Sequence, residues 1–180
     1  MYPEAGKVLL PIARAAIARE LGRTHQAAEE ADWLRKPGAC FVTLTQNERL
    51  RGCIGTLRAH RALLDDVKAN ALAAAFRDPR FKPLGQDELD ATRVELSLLS
   101  ALEAMTFENE ADVLSQLKPG IDGVVFQYGH HHSTYLPQVW EDLPDPAEFL
   151  MHLKRKAGLP PDFWDAEVKL ARYTVFKWRE

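Results

Sequence analysis

Cys40-Phe41-Val42-Thr43-Leu44-Thr45 and Leu50-Arg51-Gly52-Cys53-Ile54-Gly55-Thr56, separated by the polar Gln46-Asn47-Glu48-Arg49, decide the fold of this chain. Two β-prone runs around a turn-forming tetrapeptide predict an antiparallel hairpin. With Asn47-Glu48 at its centre, Cys53 falls opposite Val42 and Cys40 opposite Gly55. The two thiols then share a face as diagonal neighbours about 7–8 Å apart, too far for an unstrained disulfide. A loop of odd length puts them on opposite faces instead. Glycine weakens a strand interior, so Gly52 and Gly55 mark a bulge or a close backbone approach.

Outward from the hairpin the apolar period changes. Val8, Leu9, Ile12, Ala16 and Ile17 predict a helix stopped by Gly22, and Gln26 to Leu34 a second short helix. Leu63, Leu64, Val67, Ala71, Ala74 and Ala75 form the stripe of an alanine-rich helix over Arg61 to Phe76, ended by Asp78-Pro79. Thr92 to Leu99 reads as a strand with Val94, Leu96 and Leu98 on one face and Glu95, Ser97 and Leu99 on the other. A short helix follows over Glu108 to Leu117, then a hairpin from Gly123–Tyr128 and Ser133–Val139 with Gly129-His130-His131-His132 at its tip. Pro146 to Ala157 is a helix with Gly158 at its C-terminal cap, and Val168 to Lys177 a last strand. Helices and hairpins alternate without a βαβ rhythm, which predicts an α+β fold: a mainly antiparallel sheet flanked by helices.

The chain has 180 residues, 46% of them hydrophobic and 27% charged, enough for one buried core or one core divided into two lobes. Its net charge of −3, with basic and acidic residues interleaved, argues against nucleic acid as the main partner. Met1 to Lys7 lacks the features of a leader, and no apolar run approaches the roughly 18 residues of a membrane span. Two cysteines without metal-like spacing fit a reducing compartment, so the expected location is cytoplasmic.

Several residues could carry chemistry. Cys40 reads as a core filler. Cys53 reads either as an inert buried thiol or as a nucleophile or redox thiol, with Arg51 on its side of the strand lowering its pKa and Gly52 and Gly55 leaving open backbone around it. Asp78 in Arg77-Asp78-Pro79-Arg80-Phe81 suits a turn that bonds backbone amides, with Phe81 as an anchor; alternatively Arg80 is an anion clamp. Glu95 needs a partner if its face is covered; Arg51 or Arg80 would make it structural, and an unpaired Glu95 would be a catalytic acid or base. His130 and His132 share a strand face, but with no third ligand the expectation is no metal site. No glycine-rich phosphate loop and no CxxxCxxC pattern is present, so no cofactor is expected. Pro137 within a strand would mark an edge, exposing Gln138 while Val139 and Trp140 pack. Lys154-Arg155-Lys156 complements a helix C-terminus.

Leu50-Arg51-Gly52-Cys53-Ile54-Gly55-Thr56, Phe76-Arg77-Asp78-Pro79-Arg80-Phe81, Leu136-Pro137-Gln138-Val139-Trp140 and Lys156-Ala157-Gly158-Leu159 together resemble the AMMECR family, from about Leu9 to Val175. Its bacterial and archaeal members are called AmmeMemoRadiSam system protein A. The resemblance implies a single AMMECR-type domain over 1–180 folded as a larger and a smaller lobe with a cleft. It also implies work alongside a Memo-type protein and a radical-SAM enzyme, and no established reaction. The family's motif positions map onto Arg51, Gly52, Cys53, Gly55, Asp78, Arg80, Phe81, Gln138 and Trp140 as residues lining or shaping the cleft. Where members often carry a cysteine before the Lys-Ala-Gly motif, this chain has Lys154. Two functions follow as expectations. One is an auxiliary module that binds a small molecule or a partner segment. The other is an enzyme with Cys53 as nucleophile or redox thiol and Glu95 as acid or base.

Overall fold

The computed structural model describes residues 4–180; residues 1–3, part of the stretch read above for a leader, lie outside the described residues. The chain divides into two compact units: the described residues up to Leu99 together with Phe176–Glu180, and Ser100–Val175. Each carries a four-stranded sheet and its own apolar cluster. Among the described residues no helix is long and apolar enough to cross a membrane.

In the first unit, helix α1 (Ala5–Glu20) buries Leu9, Ile12, Ala13 and Ile17. Strands β1 (Cys40–Gln46) and β2 (Arg49–Gly55) form the hairpin, followed by α2 (Leu63–Phe76) and β3 (Arg93–Leu99). The sheet order is β2-β1-β3-β8, where β8 is Val175–Arg179. Cys40, Val42 and Leu44 are fully buried beneath the two helices together with Val94 and Leu96, so period-2 alternation leaves Phe41, Thr43 and Thr45 on the opposite, open face. Gly22 adopts φ 73° just past α1, and Gly158 φ 83° just past α4 (Pro146–Lys156) in the second unit, the left-handed conformations that end helices.

Asn47 and Glu48 both have positive φ (50° and 60°), so the hairpin turns on the two expected central residues. The register nevertheless differs from the simple count. A bulge between Leu44 and Thr45 pairs Leu44 with Gly52 and Thr45 with Leu50, leaving Arg51 as the extra residue. Cys53 therefore lies opposite Thr43, not Val42, and Gly55 opposite Phe41, not Cys40. The two cysteines end on opposite faces although the loop has even length. Cys40 is in the core, where burial pushes its thiol well above the ordinary value, and Cys53 is half-buried on the open face.

The second unit holds β4 (Glu103–Ala104), α3 (Glu110–Gln116), β5 (Gly123–Tyr128), β6 (His131–Tyr135), α4 and β7 (Lys169–Tyr173), with the sheet order β4-β7-β5-β6 and antiparallel pairing throughout. Its core centres on Phe126, Trp140, Phe149 and Leu153; Trp140 and Phe149 stack with ring centroids 3.7 Å apart. Lys154 is almost fully buried, donating to Glu110 Oε1 (2.6 Å) and the Phe163 carbonyl (3.0 Å) with the Trp164 ring 6.0 Å away. A buried ion pair is weakly stabilising compared with an apolar residue of similar volume. Lys154→Met is therefore expected to change stability by less than about 1 kcal/mol, whereas Lys154→Ala, which leaves a cavity, should cost about 2–3 kcal/mol in urea melts.

Three segments depart from the sequence reading. Residues 23–31 form no helix; only Asp32–Arg35 makes a 3-10 turn. Ala27 and Ala31 pack against the core and Lys68 holds Glu29 at 2.6 Å, so tertiary contacts outweigh alanine's helix preference. Strand β6 stops at Tyr135, and Pro137–Glu141 is a 3-10 helix with proline in its first turn, which suits proline better than a strand interior. The last strand breaks at Thr174, which exchanges hydrogen bonds with Ser100, so β7 and β8 enter different sheets.

Candidate functional site

Cys53 is the residue from which the site is built. It lies on β2, the edge strand of the first sheet, so its N–H and C=O that turn away from β1 need partners elsewhere. Asp78 and Arg80, in the turn after α2, supply both. The Cys53 N–H donates to Asp78 Oδ2 (2.9 Å), and Arg80 Nη2 donates to the Cys53 carbonyl (3.3 Å). The two side chains also grip each other, Arg80 Nε to Asp78 Oδ1 at 2.9 Å and Nη2 to Oδ2 at 2.7 Å, and the Arg80 backbone N–H donates to Oδ1 at 3.1 Å. The Arg80 guanidinium, followed by the backbone donors, holds the nearly inaccessible Asp78 carboxyl well below the usual carboxylate range. The turn thus bonds backbone amides through Asp78, and Arg80 is engaged as part of that clasp.

Arg51 is held in the same fashion. Its Nε and Nη2 donate to Glu88 Oε1 and Oε2, both at 2.9 Å, a bidentate pair. Glu88 also accepts from the Gly85 N–H (2.8 Å) and Gln46 Nε2 (3.2 Å); Arg51 first, then these donors, bring its carboxyl down to about 2. Arg51 Nη1 is buried without a hydrogen-bond partner. The Phe81 ring lies between the two systems, 6.0 Å from the Arg51 guanidinium carbon and 5.5 Å from that of Arg80. Neither arginine pairs with Glu95. The bulge sets Arg51 towards Glu88, and Asp78 captures Arg80, so Glu95 instead takes Lys177, with Nζ 2.8 Å from Oε1.

The polar contact of the Cys53 sulfur is a hydroxyl: Thr43 Oγ1 donates to Sγ at 3.3 Å. Thr43 pairs in register with Cys53 on one side and with Glu95 on the other. The open face therefore carries a row running across the sheet, Cys53, Thr43, Glu95 and Lys177, in strand order β2, β1, β3, β8. This row brings Cys53 and Glu95 onto one face, two strands apart, or about 10 Å.

Gly52 and Gly55 do not leave open backbone. A Cβ at Gly52 would come 2.1 Å from the Ala74 carbonyl oxygen of α2, and one at Gly55 would come 2.2 Å from the Phe41 ring. Close helix approach explains the first and an aromatic side chain across the pair the second. Gln138 and Trp140 belong to the second unit: Gln138 is exposed, and Trp140 is buried with its indole N–H donating to the Asp122 carbonyl at 2.7 Å. At the other hairpin tip, His130 lies in the turn and His131 Nδ1 is 2.9 Å from the Ala157 carbonyl, so His130 and His132 do not share a strand face. Among the described residues no group of three His, Cys, Asp or Glu side chains is placed to hold a metal ion.

Sequence reasoning missed Thr43, Glu88 and Lys177. Thr43 carried the signal of strand alternation; Glu88 and Lys177 are distant in sequence from the residues they serve.

A family model described as AMMECR1 matches residues 10–178 of this chain. A protein of Methanothermobacter thermautotrophicus is 37% identical over 175 residues, covering 94% of this chain and 91% of that protein. Protein MJ0810 of Methanocaldococcus jannaschii is 36% identical, covering 94% and 87%. Among solved structures, that of the uncharacterized protein PH0010 from Pyrococcus horikoshii is similar with a TM-score of 0.83 and 33% identity, over 98% of this chain and 92% of that one.

Proposed function

The chain belongs to the AMMECR1 family, and from that premise we propose that it is an auxiliary binding component, an AmmeMemoRadiSam system protein A, working with a Memo-type protein and a radical-SAM enzyme. In this reading the open face of the first sheet, centred on Cys53, receives a small molecule or a partner segment, and the two unpaired cysteines belong to a cytoplasmic protein. One observation carries the reading. The arginines around Cys53 are already clasped in opposite-charge pairs, Arg51–Glu88 and Arg80–Asp78, and the sulfur's polar contact is a hydroxyl. Such an arrangement holds a surface in shape; it does not supply the adjacent base that an activated nucleophile needs.

A second reading has its own support. The row Cys53–Thr43–Glu95 gives the thiol a hydroxyl and, beyond it, a carboxylate, so Cys53 acts as nucleophile or redox thiol with Glu95 as acid or base. Cys53→Ser in a mixture reconstituted with both partners separates the two. The binding reading expects unchanged activity of the mixture, with amide signals of Thr43, Cys53 and Glu95 perturbed when the partners are added. Lost activity with these perturbations intact overturns it in favour of cysteine catalysis, and unperturbed amides overturn the binding face itself.

A further inference from the structure

The charges on the open face of the first sheet run against those of the whole chain. The protein carries a net charge of −3, yet the alternation that puts Glu95 on this face also puts Arg93 there, and on β8 it puts Lys177 and Arg179 beside them. Trp178, the residue between the last two, packs instead over Gly6 of α1, which fixes the facing of β8. Three cations thus stand against one carboxylate, and Lys177 already pairs with that carboxylate. Arg93 and Arg179 are exposed and have no ion-pair or hydrogen-bond partner among the described residues. A surface arginine without a carboxylate is common, but here the two stand on adjacent strands and Arg179 lines a hollow. The hollow, about 340 Å³, is lined by Glu95, Lys177, Trp178 and Arg179. That volume suits a small ligand.

We propose that this hollow binds the anionic group of a small molecule bearing a carboxylate or phosphate, between Lys177 and Arg179 with Arg93 on the adjacent strand, and with the rest of the molecule lying over Thr43 towards Cys53. The proposal rests on the open-face reading given above and adds the ligand's charge and orientation. Guanidinium groups match the planar and tetrahedral oxygens of these anions through paired N–H donors. Glu95 keeps Lys177 oriented and repels an anion from the Cys53 side, so the charged end settles on β8 and the uncharged end on β1 and β2. A polyanion such as nucleic acid is disfavoured by the net charge of the chain and by the size of the hollow.

The test is a titration of the ¹⁵N-labelled protein with inorganic phosphate and, separately, with succinate, following backbone and arginine side-chain signals. The expected result is saturable shifts confined to residues 93–95 and 175–179, suppressed by added potassium chloride. The variant R93Q/R179Q should bind about tenfold more weakly, because it loses two charges at contact distance. Neither arginine makes a partner contact in the structure, so the fold should survive, as an otherwise unchanged spectrum would verify. Saturation by phosphate but not succinate, or the reverse, assigns the anionic group. Shifts elsewhere or equal binding by the variant overturn the proposal. If these residues ignore both anions while Thr43 and Cys53 still respond to the partner proteins, the anion assignment fails and the binding face stands. If they respond to neither, both fail.

Discussion

Gly52→Ala is expected to lower the stability of the protein by about 3 kcal/mol, the upper part of the range for overpacking a filled site. The new methyl would sit 2.1 Å from the Ala74 carbonyl oxygen and 3.0 Å from its carbonyl carbon. Both are main-chain atoms in the last turn of α2, so relief requires moving that turn or the edge strand. Moving either loosens a core in which Val67, Ala71, Ala74 and Ala75 are all buried. Gly55→Ala offers an internal control. Its methyl would meet the Phe41 ring, a side chain on a half-buried face that can rotate away, and a loss of about 1 kcal/mol is expected. Urea unfolding at constant m-value measures both. Equal effects at the two glycines would show that α2 does not lie directly on β2.

Asp78→Ala is the second large effect, expected at about 3 kcal/mol. It leaves the Cys53 N–H and the Arg80 guanidinium without their shared acceptor at a position where Asp78 itself is only 4% exposed. The loss carries a pH signature. Arg80 and the backbone donors depress the folded carboxyl below its ordinary 3.8, so the stabilisation is complete above that value and fades as pH falls below it. Asp78→Asn keeps the shape but not the charge. Its stability should fall less steeply in acid than that of the parent, and the two curves should converge as pH drops below 3.8. Glu88 acts in the same direction, present above 4.5 and lost towards 2, and contributes equally to parent and variant. Parallel curves down to pH 2 would contradict the clasp.

The hairpin, both long helices, β3 and the helix caps were legible because each follows from a local rule: alternation, an apolar stripe, or a glycine past a helix end. The Asn47-Glu48 turn was legible too, but the face assignment of Cys53 was not. A single extra residue at Arg51 reverses every side chain beyond it, and a bulge leaves only an ambiguous mark, here a glycine on each side of Cys53. The partners of Arg51, Arg80 and Glu95 were misassigned for a related reason. Ion pairing depends on which face a residue takes and on distant segments, and Glu88 and Lys177 lie in stretches with no pattern pointing back to the hairpin. Likewise, nothing local distinguishes an alanine-rich helix from the extended strap at 23–31, whose Ala27 and Ala31 are held by a core formed elsewhere. Proline's tolerance at a strand edge suggests that the strand runs on through Pro137, whereas β6 ends at Tyr135 and Pro137 opens a turn of 3-10 helix.

The central claim is positional: the bulge puts the Cys53 sulfur on the face away from the helices, within reach of a ligand, while Cys40 stays under them. Native-state alkylation with iodoacetamide, read separately for the two cysteines by peptide mass spectrometry, tests it most directly. Cys53 should be modified in the folded protein and Cys40 only at the rate of global unfolding. Modification of both thiols together, only when urea unfolds the chain, would contradict the account.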